Sequence, residues 1–232
     1  MLKKLTTLLR DFGFLDSTLY LLNRVLIGAT SGRVRLYKYY IMQQPVPINR
    51  LLPRRHRSSS IHVKKIYSND PAVCDFPRPP AVIADRFRQG SHCFAAYKNG
   101  VFAGFLWFTI GRYQEDEVRC NFILSPAQQL AWDFDVYVDP QFRLSRAFLL
   151  LWETAYEFMR TRAVCATISR VSAFNTSSIA THTRLGARKL HSLLFFQIWR
   201  YQLLFSSTTP RFHFSGRNRE RPNILINIST TL

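Results

Sequence analysis

Between Trp132 and Trp152 the chain reads WDFDVYVDPQFRLSRAFLLLW, which brings carboxylates and guanidiniums into one short stretch. Arg143 and Arg146 stand after a Pro-marked turn and before an apolar run with helical spacing. Guanidiniums and unpaired backbone amides at a helix N-terminus together hold a phosphate-bearing ligand. Upstream, alternation over 131–140 predicts a strand. It sends Asp133, Asp135 and Tyr137 to one side, and Trp132, Phe134, Val136 and Val138 to the other. Two acids on one inward face raise one pKa and make a proton acceptor. The same acids are equally suited to ion pairs with a nearby Arg or Lys.

Other chemistries find less support. Cys74, Cys93, Cys120 and Cys165 fit no C-x-x-C spacing, and none of the six histidines form an H-x-x-x-H pair, so no metal is expected. Scattered cysteines of this kind suit reduced thiols in the cytoplasm. Neither G-x-S-x-G nor G-x-x-x-x-G-K-(S/T) occurs. A formal net charge of +18, from 32 Lys and Arg against 14 Asp and Glu, favours an anionic partner. Charge alone does not say whether that partner is nucleic acid, a membrane surface or a phosphate-rich small molecule.

The elements that position these residues follow from periodicity and turn signals. Residues 1–60 read as an N-terminal amphipathic and basic extension. Leu5, Leu8, Leu9, Phe12, Leu15, Leu19, Leu22 and Leu26 fall near helical spacing and line one face, with Gly13 weakening the middle. That face covers an apolar patch of the main domain, lies on a membrane surface, or makes a homodimer contact through residues 1–30. Arg33, Arg35, Lys38, Arg54, Arg55 and Arg57 follow among aromatics, prolines and serines, read as a linker rather than part of a sheet. Arg10, Asp11 and Asp16 interrupt any signal-peptide pattern, and no run of about 18 uncharged apolar residues occurs, so the expected location is cytoplasmic, with peripheral contact at the inner membrane face.

From residue 61 to 205 strands and helices alternate. A strand over 61–68 leads to a helix over 79–90, opened by prolines and closed by Gly90. Asn99-Gly100 joins two β-rich runs as a hairpin, and Glu115, Asp116 and Glu117 read as a solvated hairpin end. After the 131–140 strand come a helix over 145–163, a strand over 165–174, a helix over 175–186 capped by Asn175, and a long strand over 191–205. Residues 206–232 read as a polar, basic tail. This order implies an α+β fold, a mixed, mostly antiparallel central sheet flanked by helices.

Residues 61–205 resemble the GNAT superfamily of acyl-CoA N-acyltransferases. Its fourth strand leads into the pattern (Q/R)-x-x-G-x-(G/A), which aligns with Arg143, Leu144, Ser145, Arg146, Ala147 and Phe148. A second block, N-x-x-(A/S)-x-x-x-Y-x-x-x-G-F, matches at Asn175, Ser178 and Gly186, with His182 in place of Tyr and Ala187 in place of Phe. The resemblance implies acetyl-CoA or another acyl-CoA as co-substrate, with its pyrophosphate on the turn from Arg143 to Phe148. It implies pantetheine against the backbone of Val136, Tyr137 and Val138 and near Asn175 and Ser178. An amine acceptor, whose identity the sequence does not give, would attack the thioester directly. Asp133 or Asp135 would serve as base and His182 as the acid that returns a proton to the thiolate. Arg146 and Phe148 stand where the family prefers small residues. Either Arg146 replaces backbone contacts with its guanidinium, or the site is degenerate and the chain is a binding module for nucleic acid or an anionic membrane surface. No established nucleic-acid motif accompanies the basic segments, so nucleic acid is not the expected partner.

Overall fold

The computed structural model describes residues 2–51 and 60–228, with side chains from residue 12 onward. In chain order the elements are α1 (Leu2–Ala29), β1 (Val34–Pro45), β2 (Ile61–Ile66), α2 (Pro80–Arg88), β3 (His92–Lys98), β4 (Val101–Ile110), β5 (Arg112–Gln114) and β6 (Asn121–Ser125). Then come β7 (Leu130–Val138), α3 (Ala147–Arg160), β8 (Ala166–Ser172), α4 (Thr176–Arg184), β9 (Arg188–Ile198), β10 (Tyr201–Ser206), β11 (Phe212–Ser215) and β12 (Asn223–Asn227). The fold is α+β, with a mixed, mostly antiparallel sheet flanked by helices. Two compact units are distinguished: Met1–Gln44 with Gln114–Ile123 and Ile168–Leu232, and Pro45–Tyr113 with Leu124–Thr167.

In the second unit β2, β3, β4 and β7 pair antiparallel in that order. Asn99 (φ 51) and Gly100 (φ 82) take the left-handed conformations that a tight hairpin between β3 and β4 demands. One face of these strands buries Phe105 and Trp107 with Phe76 and Ile83, beneath α2. The opposite face sets Phe94 and Phe108 against Phe158 of α3. Apolar burial at about 25 cal/mol per Å² makes these aromatic layers the main adhesive of the unit. At Gly104 the strands approach so closely that a Cβ would lie 2.3 Å from the Tyr137 carbonyl oxygen.

The first unit orders its strands β11-β10-β9-β1-β8. Here the chain departs from the extension expected over residues 1–60. Val34–Pro45 is not a linker but a twelve-residue strand, paired antiparallel with β9 from Val34↔Ile198 to Gln43↔Arg188. Leu36, Tyr39, Ile41 and Met42 are buried on both of its faces, as in a strand inside a sheet. Arg54, Arg55 and Arg57 lie outside the described residues, as do the side chains of Leu5, Leu8 and Leu9.

Helix α1 breaks at Gly13 (φ 76, ψ 173). Beyond the break its buried face carries Asp16 and Ser17, not the leucines. Asp16 accepts from the Tyr40 hydroxyl and lies 4.0 Å from Lys38, and Asn23 accepts from the Leu36 amide at 2.8 Å. Leu15 and Leu22 are exposed, with Phe14 and Val25 further out. Polar anchoring to β1 therefore fixes the helix rotation, and the predicted leucine face is split: Leu15 and Leu22 are exposed while Leu19 and Leu26 are half-buried. Among the described residues no helix is long and apolar enough to cross a membrane.

Two further segments differ from expectation. The run 191–205 is two strands, β9 and β10, reversing at Trp199-Arg200. The segment 206–232 contains β11, paired with β10, and β12, whose Asn223 accepts from the Asn121 side chain at 3.0 Å. Aromatic alternation at Phe212 and Phe214 and the apolar run NILIN explain why these stretches fold as strands.

Candidate active site

The turn after β7 is built locally. Asp139 accepts from the Gln141 amide at 3.0 Å, and Pro140 opens a single 3-10 turn to Phe142. The Ser145 amide donates to Phe142 at 2.8 Å, and the Ser145 hydroxyl accepts from the Ala147 amide at 3.2 Å. Helix α3 then starts at Ala147, whose side chain is fully buried. The backbone amides of Leu144, Phe148 and Leu149 donate to no acceptor among the described residues. Those of Phe148 and Leu149 are orphan donors of the α3 N-terminus, where the helix dipole adds partial positive charge, and that of Leu144 belongs to the preceding turn. Arg143 and Arg146 are exposed at the same turn, and Leu144 projects entirely into solvent. The Phe148 ring lies edge-on to Trp152 one turn along α3, at 6.5 Å between centroids.

Strand β7 meets β4 on one edge. Val138 aligns with Gly104, Tyr137 with Phe105 and Val136 with Leu106, and the Asp139 amide donates to Ala103 at 3.0 Å. Backbone groups alternate sides along an antiparallel strand, so Asp139 and Tyr137 face β4 while Val136 and Val138 direct theirs to the opposite edge. Of the three residues expected to present backbone to pantetheine, Val136 and Val138 direct their backbone groups away from β4 and Tyr137 directs its toward β4.

The two strand acids are separated. The pairing of β7 with β4 shifts register between Trp107, opposite Asp135, and Phe108, opposite Asp133. This bulge at Phe134 places Asp135 on the α2 face with Trp107, and Asp133 on the α3 face with Phe108. The expected single face holding Asp133, Asp135 and Tyr137 is thus overturned: one extra residue resets the alternation, and only Asp135 and Tyr137 share a side. Asp135 accepts from Arg78 through Nε at 2.8 Å and Nη2 at 2.7 Å, and from Arg86 Nη1 at 2.7 Å. The Arg86 guanidinium also lies over the rings of Trp107 and Phe134, at 5.5 and 5.1 Å. Asp133 is buried at 3% exposure.

In the first unit, Asn175 caps α4 by accepting from the Ser178 amide at 3.0 Å, and Gly186 (φ 84) closes the helix end. His182 is half-buried on that helix, and its Nδ1 is enclosed without a hydrogen-bond partner. Sequence reasoning missed a cluster in the same unit. Glu115, expected in solvent, is 1% exposed and takes a bidentate pair from Arg170 of β8, Nε–Oε2 2.8 Å and Nη2–Oε1 3.0 Å. Glu117 accepts from Arg170 at 2.6 Å and from the Tyr39 hydroxyl at 2.7 Å. Burial raises the Glu115 carboxyl to about 7 even though Arg170 opposes the rise. Burial likewise lifts the Tyr39 hydroxyl above its ordinary value. The available signal was an arginine at an inward position of β8, which demands a buried acid from somewhere else in the chain.

The model of the Acetyltransferase (GNAT) family matches residues 62–187, more than half of the chain. No curated protein matches it. Among solved structures, a tandem GNAT protein from the clavulanic acid biosynthesis pathway is similar at a TM-score of 0.50 and 12% identity, over 75% of this chain and 57% of that one. A putative GNAT-family acetyltransferase from Novosphingobium aromaticivorans gives 0.49 and 16%, over 69% and 63%. An aminoglycoside N-acetyltransferase in complex with CoA gives 0.43 and 18%, over 59% and 91%. This chain therefore spans less than two thirds of the first two proteins.

Proposed function

Since the chain belongs to the acetyltransferase (GNAT) family, we propose that it is an acyl-CoA-dependent N-acyltransferase, most simply an N-acetyltransferase. The observation that carries the reading is the set of undirected amides of Leu144 in the turn and of Phe148 and Leu149 at the start of α3, beside Arg143 and Arg146. Anionic oxygens are the natural partners of such donors, which suits the pyrophosphate of CoA. Our reading is compatible with Arg146 and Phe148 at these positions, because the donors it uses are main-chain and the Phe148 ring lies along α3 against Trp152.

Bound acyl-CoA supplies the activated thioester. Our reading gives the cations Arg143 and Arg146 the pyrophosphate, with the backbone around Leu144, Ser145, Ala147 and Phe148. Val136 and Val138 offer outward backbone groups to the pantetheine amides, and Asn175 and Ser178 order the N-terminus of α4. Asp133 is the candidate base for the amine, and His182 the candidate acid for the departing thiolate. Asp135 is assigned a positioning role, because both of its oxygens already accept from guanidiniums. Acyl-CoA as co-substrate suits action in the cytoplasm. Calorimetric titration of the folded protein with acetyl-CoA and with longer acyl-CoAs tests the proposal. Saturable binding of at least one is expected, and absence of binding by all of them overturns it.

A further inference from the structure

A cavity of about 630 Å³ in the first unit is lined by four arginines, Arg119, Arg200, Arg219 and Arg221, together with Trp199. None of the four guanidiniums has a carboxylate within ion-pair distance among the described residues. Glu117 borders the same cavity, but its carboxylate is engaged by Arg170 and Tyr39. Asp116 is the other acid on the rim, so cations outnumber acids two to one around the opening.

The fold holds these cations in place. Both the amide and the carbonyl of Arg119 are bound at 2.9 Å by the buried side chain of Gln202, and its Nε is enclosed with no hydrogen-bond partner. Arg221 reaches the Glu115 carbonyl through Nη1 at 2.8 Å. Burial, and then the neighbouring cations Arg219 and Arg221, press the Arg119 pKa below its ordinary value. Guanidiniums gathered without counter-charge repel one another, and a multivalent anion relieves that repulsion.

The backbone adds an independent sign. Trp199 and Arg219, both lining the cavity, have φ 54. Left-handed backbone is unusual for bulky residues, and Trp199 occupies a two-residue turn where Gly or Asn is the ordinary choice. Such outliers gather where side-chain identity serves binding rather than folding. Trp199 is 75% exposed, and Arg200 lies 5.6 Å from its ring centroid.

We propose that this cavity binds a small phosphate-bearing molecule, with the arginines on its phosphate oxygens and the Trp199 ring against its remainder. This site is additional to the α3 cradle and does not depend on the acyltransferase reading.

Fluorescence tests it directly. Trp107, Trp132 and Trp152 are fully buried, so quenching of the intact protein by acrylamide reports Trp199. Inorganic pyrophosphate at constant ionic strength is expected to protect Trp199, and ribose 5-phosphate to protect it at least as well. Arg219→Glu, which changes an exposed side chain, should raise the half-protecting concentration about tenfold or more with the circular dichroism spectrum unchanged. Arg119→Gln should do the same, whereas Arg143→Ala should leave protection by pyrophosphate intact. Equal protection by chloride and sulfate at matched ionic strength would reduce the effect to general screening and overturn the site. So would indifference of both variants, or protection lost in Arg143→Ala. Protection by oligothymidylate but not by ribose 5-phosphate would also overturn it, in favour of a polynucleotide surface.

Discussion

Replacing Asp135 with Asn separates a catalytic carboxylate from a structural one. Asp135 is 12% exposed and receives three charge-assisted hydrogen bonds of 2.7–2.8 Å from Arg78 and Arg86. Arg86 is 7% exposed, so its charge draws little help from water, whereas Arg78 is 31% exposed and can be hydrated. Removing one partner of a buried pair costs about 3–5 kcal/mol. An amide keeps one acceptor oxygen and the shape of the side chain, which argues for the lower end, about 3 kcal/mol. Arg78→Ala, on the more exposed partner, should cost only about 1 kcal/mol. Urea denaturation followed by far-ultraviolet circular dichroism measures both. At a temperature where Asp135→Asn remains folded, its acetyl-CoA affinity should be close to that of the parent. A variant of unchanged stability whose turnover had fallen a hundredfold would refute the assignment and return Asp135 to the chemistry.

Three further outcomes follow from particular contacts. Gly104→Ala sets a Cβ 2.3 Å from the Tyr137 carbonyl oxygen and 3.0 Å from Val138 Cα, so β4 and β7 must part. The expected loss is about 3 kcal/mol in thermal or urea unfolding, with weaker acyl-CoA binding through the displaced Val136–Val138 edge. His92 has its pKa lowered to about 4 by burial and by Lys65 and Arg162. A depressed pKa gives stability that is complete above about 6.5 and lost as pH falls through 4. Discounted for the partly exposed ring, this amounts to about 2 kcal/mol, and His92→Gln should flatten the stability profile over that window. Arg143→Ala should weaken acyl-CoA about tenfold by calorimetry, with a shallower salt dependence. An unchanged affinity removes Arg143 from the pyrophosphate site.

The buried Glu115–Arg170 pair shows how local reading misplaces a residue. Three consecutive acids look solvated by every local criterion, and 55 residues separate Glu115 from the arginine that takes it inside. The pair stands beside Tyr39 on β1, the strand that the basic composition of its segment had disguised as a linker.

What the sequence determined by itself are features whose causes lie within a few residues. The Asn99-Gly100 hairpin, the Asn175 cap and the strand–turn–helix from Trp132 to Trp152 are fixed by turn chemistry, capping and periodicity, and each folds where those rules put it. The tertiary structure decided whatever depends on a distant partner. The rotation of α1 is anchored through Asp16 to Tyr40 and through Asn23 to Leu36, contacts its leucine spacing does not announce. The bulge that divides Asp133 from Asp135 exists only in the pairing of β7 with β4, so alternation along one strand could not show it. The gathering of Arg119, Arg200, Arg219 and Arg221 around one cavity joins positions up to about a hundred residues apart. Charge composition alone could not predict that, because it counts cations without locating them.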